Sequence, residues 1–237
     1  MPGFAAAEMI GAAAERLGAY EGTHVRPLNR TEARIAKREA SPGAMRIRNN
    51  SVLKTSMENF HELLLNRRSI RRYTDEPVDA DAVRLILEAA LTSPSSKSVR
   101  PWQFVVVEDK EMLARLGKCK PNYATSIANA PLAVVVTADI TKSDAWIEDA
   151  SIAAVLMQLQ AADLGLGSCW VEVRDRYGAD GEPAEEYVRE ALGIPEEFGV
   201  LCIVSIGHKA EERRPIDPAK LLWEKVHIGS WRKDAAE

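Results

Sequence analysis

Asn66-Arg67-Arg68-Ser69-Ile70-Arg71-Arg72-Tyr73 sets the terms for the rest of the chain. Five cationic or hydroxyl side chains stand within six positions. Before them runs the apolar helical stretch Phe60-His61-Glu62-Leu63-Leu64-Leu65, and after them comes the Pro-marked turn Glu76-Pro77. Arginines packed this densely repel one another, so an anion is the natural complement. The guanidinium fork matches a phosphate, and also the edge carbonyl of a heterocycle. A solvated helix end, where cations offset the helix dipole, accounts for the same residues. The stretch alone leaves the two readings even.

The whole chain narrows the choice. Its 237 residues are 46% hydrophobic and 28% charged, ordinary for a globular protein with a real core. A net charge of -4 gives no general pull toward nucleic acid or acidic membranes. No apolar run approaches the roughly 18 residues of a membrane span. The three cysteines are odd in number and far apart, which suits neither a disulfide scaffold nor a zinc ribbon. Cys169 and Cys202 lie in apolar runs and read as core. Cys119, between Lys118 and Lys120, has neighbours that lower a thiol pKa but no visible general base. His24, His61, His208 and His227 have no metal-ligand spacing.

Residues 1–56 carry a charge of +4 and the remainder -8. The opening is Ala-rich but broken by Glu8 and Glu15, which argues against a signal peptide or an acid-poor presequence. Residues 1–56 therefore read as a flexible extension and 57–237 as the folded domain. With neither leader nor span, the expected location is the cytoplasm.

From Thr55, a capping box with Glu58 predicts a helix through Asn66. Val83, Ile86, Leu87, Ala90 and Leu91 repeat at helical spacing over 80–92, and Pro94 stops that helix. Further helices are expected over 110–116, 144–163 and 185–192. The second of these is apolar on most sides. Strands are expected over 103–107, 132–136, 168–173 and 200–206. The unbroken apolar character of 132–136 points to burial on both faces. Leu221, Leu222 and Trp223 suggest a last short helix, with Ile228 and Trp231 prolonging an apolar tail. That tail either folds onto its own core or packs on a second subunit. Strands separated by helices imply one layered domain.

No dinucleotide glycine fingerprint, phosphate loop or nucleophile elbow is present. An enzyme without such groups commonly leaves the hard chemistry to a cofactor. Two further polar clusters accompany the arginines. One is the loop Ser93-Pro94-Ser95-Ser96-Lys97-Ser98-Val99-Arg100-Pro101-Trp102, the other Arg213-Arg214 beyond the last strand.

In combination these pieces resemble the nitroreductase family of flavin mononucleotide (FMN) enzymes. The resemblance rests on Arg-Arg-Ser-Ile-Arg at 67–71 with Tyr73, Ser-Pro-Ser-Ser at 93–96 leading to Arg100-Pro101-Trp102, Gly-Leu-Gly-Ser-Cys-Trp at 165–170, and Leu-Gly-Ile-Pro at 192–195. It implies an α+β fold with a mostly antiparallel central sheet flanked by helices. It also implies an interlocked homodimer with two flavin sites, each fed by both chains.

By position, the resemblance assigns Arg67, Arg68 and Ser69 to the phosphate and ribityl chain, and Arg71 to the pyrimidine edge of the ring. Pro94, Ser95, Ser96 and Ser98 would reach the flavin from the other subunit. Trp170, Val171, Glu172 and Val173 would line one flavin face, with a backbone N–H toward N5. Arg213 or Arg214 would be the C-terminal phosphate cation, and Arg72 would point to solvent. Ser98 stands where the family usually has Asn, and Arg100 where Gln is common. The implied activity passes hydride from NAD(P)H through flavin N5 to a small nitroaromatic or quinone acceptor in a ping-pong cycle. Specialised relatives, a dehalogenase or a flavin-fragmenting enzyme, are alternatives, as is a non-catalytic flavin sensor or storage protein.

Overall fold

The computed structural model describes residues 60–122 and 124–231. The extension 1–56 and the expected cap at Thr55 and Glu58 lie outside the described residues. Six α-helices and four strands alternate as α1 (Phe60–Asn66), α2 (Ala80–Leu91), β1 (Trp102–Val107), α3 (Lys110–Leu116), α4 (Thr125–Ala128), β2 (Leu132–Asp139), α5 (Trp146–Asp163), β3 (Gly167–Glu172), α6 (Ala184–Leu192) and β4 (Phe198–Gly207). The strands lie in the order β1-β2-β4-β3, and every pairing is antiparallel.

Helices cover both faces of this sheet, which is why residues 132–136 of β2 and 200–204 of β4 are apolar without a break. Val134, Val136, Cys202, Val204 and Ile206 pack with α2 and α5 on one side. Ala133, Val135 and Ile203 pack with α3, α4 and α6 on the other. Two-sided burial, not parallel pairing, sets the pattern here. A bulge opposite Val136 and Thr137 leaves Leu201 unpaired, so Leu201 and its neighbour Cys202 join the same core cluster.

Helix α5 buries Ala150, Ala153, Ala154, Met157 and Ala161 against the sheet, small residues that let the long helix lie close. It ends where Gly165 takes φ 77°, a left-handed turn glycine adopts without steric cost. Its outer face leaves Ile152 and Val155 exposed, and Phe60, Leu64 and Leu91 on α1 and α2 are exposed too. The expected final helix is two separate 3₁₀ turns, Pro218–Lys220 and Trp223–Lys225. Too few backbone hydrogen bonds close there to make an α-helix. The tail does not fold onto its own core: Trp223 is 69% exposed, Ile228 85% and Trp231 80%. No helix among the described residues is long and apolar enough to cross a membrane.

Candidate functional site

The arginine segment is placed by a glycine and two stretches of pairing. A Cβ on Gly167 would lie 2.7 Å from Ile70 Cγ2, so only glycine lets buried Ile70 sit against the start of β3. There the Ile70 N–H donates to the Ser168 carbonyl at 2.9 Å, and Ser69 bridges to Ser168. Further on, residues 72–74 pair with 208–210. The Thr74 N–H donates to His208 O (3.0 Å) and the Ala210 N–H to Arg72 O (3.0 Å). Tyr73 pegs this corner. Its hydroxyl donates to Ile70 O at 2.6 Å and lies 2.9 Å from Ser205 Oγ. Burial pushes its pKa well up, so it stays neutral.

These pairings bring the segment after β4 alongside Arg67–Arg71. Arg67, Arg68, Lys209 and Arg213 line one cleft with Ile70, Leu166 and Ser168. Its free volume is about 40 Å³, about three waters' worth, or a phosphate group in their place. Arg213 faces this cleft. Arg214 contributes its carbonyl, which accepts from Arg68 Nη1 at 2.9 Å. Glu211 ties the parts together, accepting from the Arg71 N–H (2.8 Å) and from Arg213 Nη2 (3.0 Å). The Arg71 N–H, with Arg213 behind it, holds the Glu211 carboxyl below the usual range.

The second half of the site is the edge of the sheet. β3 is an outer strand, and at Ser168 its outward edge is taken by Ile70. By the two-residue alternation of a strand, Trp170 and Glu172 also turn their backbone groups outward. Val171 and Val173 do not. Their side chains are 2% and 0% exposed in the core, and the Val173 N–H donates to Leu201 O. Of the four strand residues expected at a ligand, Trp170 and Glu172 therefore have access, through their edge N–H groups. Trp170 Nε1 donates to Glu172 Oε2 at 2.8 Å. Arg71 lies beside Cys169, where its charge is the largest opposition to the burial that raises that thiol's pKa. Lys120 Nζ donates to Glu172 O at 2.8 Å. Cys119, next to it, is 1% exposed, and burial raises its pKa despite Lys120.

The serine loop lies elsewhere in the same chain. The Ser96 N–H donates to Asp149 Oδ1 at 2.7 Å, and the Arg100 N–H donates to Ser95 Oγ at 2.8 Å. Asp149 is 3% exposed and also accepts from Ser143 Oγ. So held, Lys97, Ser98 and Arg100 take φ of 51°, 55° and 53°, a left-handed region that costs non-glycine residues energy. Pro94 and Ser98 are exposed, and Ser95 and Ser96 are half-buried. Asp149 opens α5, whereas Ala162, near its other end, lines the arginine cleft. Those residues stand about 20 Å apart along the helix axis.

Sequence reasoning missed Lys209, Glu211 and Lys120. The first two depend on the pairing of 72–74 with 208–210. Lys120 was weighed only as a neighbour of Cys119. Arg72 is exposed, as expected, at an open cleft shared with Tyr73 and Lys110. The donor set fits a phosphate ester carrying a flat ring with polar edges. Cations gather at one end, outward backbone groups run along β3 past Arg71, which lies beside Cys169, and Lys120 stands at the far end by Glu172.

A model described as the nitroreductase family matches residues 64–120 and 118–208. An FMN-dependent nitroreductase from Clostridium difficile R20291 is 47% identical, with a TM-score of 0.71 over 72% of this chain and 99% of that one. A protein of Archaeoglobus fulgidus, provisionally named an NADH dehydrogenase/NAD(P)H nitroreductase, is 37% identical over 66% of this chain and 89% of its own length. The NADH dehydrogenase of Thermus thermophilus is 30% identical over 71% of this chain and 93% of its own length.

Proposed function

The chain belongs to the nitroreductase family, and on that premise we propose that it is an FMN-dependent oxidoreductase using NAD(P)H. The observation that carries this reading is the convergence of Arg67, Arg68, Lys209 and Arg213 on one small cleft at the start of an open strand edge. Bound FMN would supply two-electron redox chemistry, drawn from NAD(P)H and delivered to a small nitroaromatic or quinone acceptor.

The protein's own groups bind and orient. The four cations hold the phosphate, each charge-assisted hydrogen bond contributing about 1.5–3 kcal/mol. Ser69, fixed by its bridge to Ser168, sits at the ribityl chain. The outward N–H groups of Trp170 and Glu172 would donate to the ring, and Arg71 would stabilise negative charge at its pyrimidine edge. Reductant and acceptor would stack in turn on the same exposed face of the ring, a ping-pong order.

The site is completed by a second copy. Pro94, Ser95, Ser96 and Ser98 lie about 20 Å along α5 from the arginine cleft of their own chain, so in this reading they serve the partner's flavin. A homodimer would also cover exposed apolar side chains such as Phe60, Leu64, Leu91, Ile152 and Val155, and the exposed tail from Leu221 to Trp231.

The visible spectrum of purified protein, followed by anaerobic titration with NADH and then NADPH, tests the proposal. A yellow protein whose flavin band bleaches with at least one nicotinamide is expected. A protein that stays colourless when offered FMN contradicts the reading. Bound flavin that neither nicotinamide reduces would favour a storage or sensor role.

A further inference from the structure

Lys120 lies outside the arginine cleft, on the loop that follows α3. Its Nζ reaches across to the Glu172 carbonyl, 2.8 Å away at the outward edge of β3. An ammonium has three N–H donors. Among the described residues Lys120 has one hydrogen-bond acceptor, so two donors remain. Ser168, at the phosphate end, and Glu172 are four residues apart on one strand, about 13 Å. Lys120 therefore stands at the end of the edge far from the phosphate cations.

Cations outnumber acids there. Arg176 is close enough to Lys120 to repel it, and burial adds to the cost of keeping the ammonium charged. Arg71 lies across the strand beside Cys169. The nearby acid, Glu172, has one carboxylate oxygen engaged by Trp170 Nε1. A half-buried lysine with spare donors, set among like charges, is complementary to an anion. The phosphate of the cofactor is accounted for at the opposite end.

We propose that Lys120, backed by Arg176, selects acceptors that carry a carboxylate, aromatic acids above all. The proposal rests on the flavin reading above, because the flat ring supplies the surface on which such an acid stacks. The acid's ring lies on the flavin and its carboxylate takes the two spare N–H donors of Lys120. No bond is made or broken in this contact. Lys120 is a specificity residue and leaves neutral acceptors to bind by stacking alone.

Benzoate and benzamide, inert and nearly isosteric, are the probes. Their binding to the oxidised FMN holoenzyme is read from perturbation of the visible spectrum. In Lys120→Gln, an N–H remains for Glu172 O but the charge is gone. The benzoate Kd should rise about tenfold or more, the scale of a lost charge-assisted hydrogen bond, while benzamide stays within about twofold. Lys120→Arg should restore benzoate binding. Arg176→Gln should weaken benzoate by about threefold, and added salt should do likewise for benzoate only. Equal benzoate affinity in wild type and Lys120→Gln overturns the proposal, as does wild-type protein that binds benzamide as tightly as benzoate. If Lys120→Gln fails to fold, Arg176→Gln and the salt series decide, and benzoate affinity that ignores both overturns it. Wild-type protein that takes up no FMN removes the flavin reading itself. That outcome differs from flavin-loaded protein indifferent to the carboxylate.

Discussion

The two ends of α5 carry two polar regions built on opposite plans. At its C-terminal end, Arg67, Arg68, Lys209 and Arg213 surround a cleft, four cations with Glu212 the acid among the lining residues. At its N-terminal end, the loop from Ser93 to Arg100 is held by the buried Asp149 carboxylate, and its Ser95 hydroxyl accepts from the loop's own Arg100 N–H. The first region keeps like charges together for a ligand. The second stabilises a strained loop that presents Pro94 and Ser98 outward. Under the proposed function, one chain assembles half of a binding site and displays the other half about 20 Å away along α5.

The largest expected effect comes from the loop end. Asp149→Ala leaves the Ser96 N–H and the Ser143 hydroxyl without their acceptor, and should lower stability by about 2–4 kcal/mol, read as an earlier urea midpoint. At the arginine end the balance reverses. Arg67→Ala combined with Arg68→Ala should weaken FMN binding about a hundredfold while the urea midpoint barely moves. Equal loss of stability at both ends would break the contrast. Arg67→Ala should affect FMN retention more than its midpoint potential, and Arg71→Ala the reverse.

Gly167→Ala sharpens the contrast from the packing side. The added Cβ meets Ile70 at 2.7 Å. About 1–3 kcal/mol of stability should be lost, typical of overpacking, together with FMN affinity as the segment moves off β3. A smaller effect follows from Glu211. Its folded pKa lies below the ordinary 4.5, so its stabilisation is complete above 4.5 and is lost as pH falls through the folded value. Acid titrations of thermal stability should show Glu211→Gln losing less than wild type below that pH. Arg72→Ala, on the exposed face, should change neither stability nor FMN binding measurably.

Much of the sheet was readable before the structure. Strands β2 and β4 are apolar at consecutive positions, Pro94 marks a helix end by restricting the backbone, and Gly165 and Gly193 mark others by admitting a left-handed turn. The bulge that leaves Leu201 unpaired was not readable, because register depends on the partner strand. The site divides in the same way. Arg67, Arg68 and Arg213 are visible as clustered charge. Lys209 and Glu211 gain meaning only from the pairing of 72–74 with 208–210, a contact across some 135 positions. Val171 and Val173 were expected at a ligand because the strand end was taken as a unit. Alternation along β3 turns them into the core. The tail's two readings stayed open because Trp223, Ile228 and Trp231 are as compatible with a core as with a partner's surface.

The central claim is that the flavin site needs two copies of the chain. Light scattering on a sizing column with in-line flavin absorbance tests it directly. Flavin should elute with a species of twice 26.1 kDa, one FMN per chain, and Trp223→Asp combined with Ile228→Asp should lose dimer and flavin together. A stable yellow species of 26.1 kDa would contradict the account.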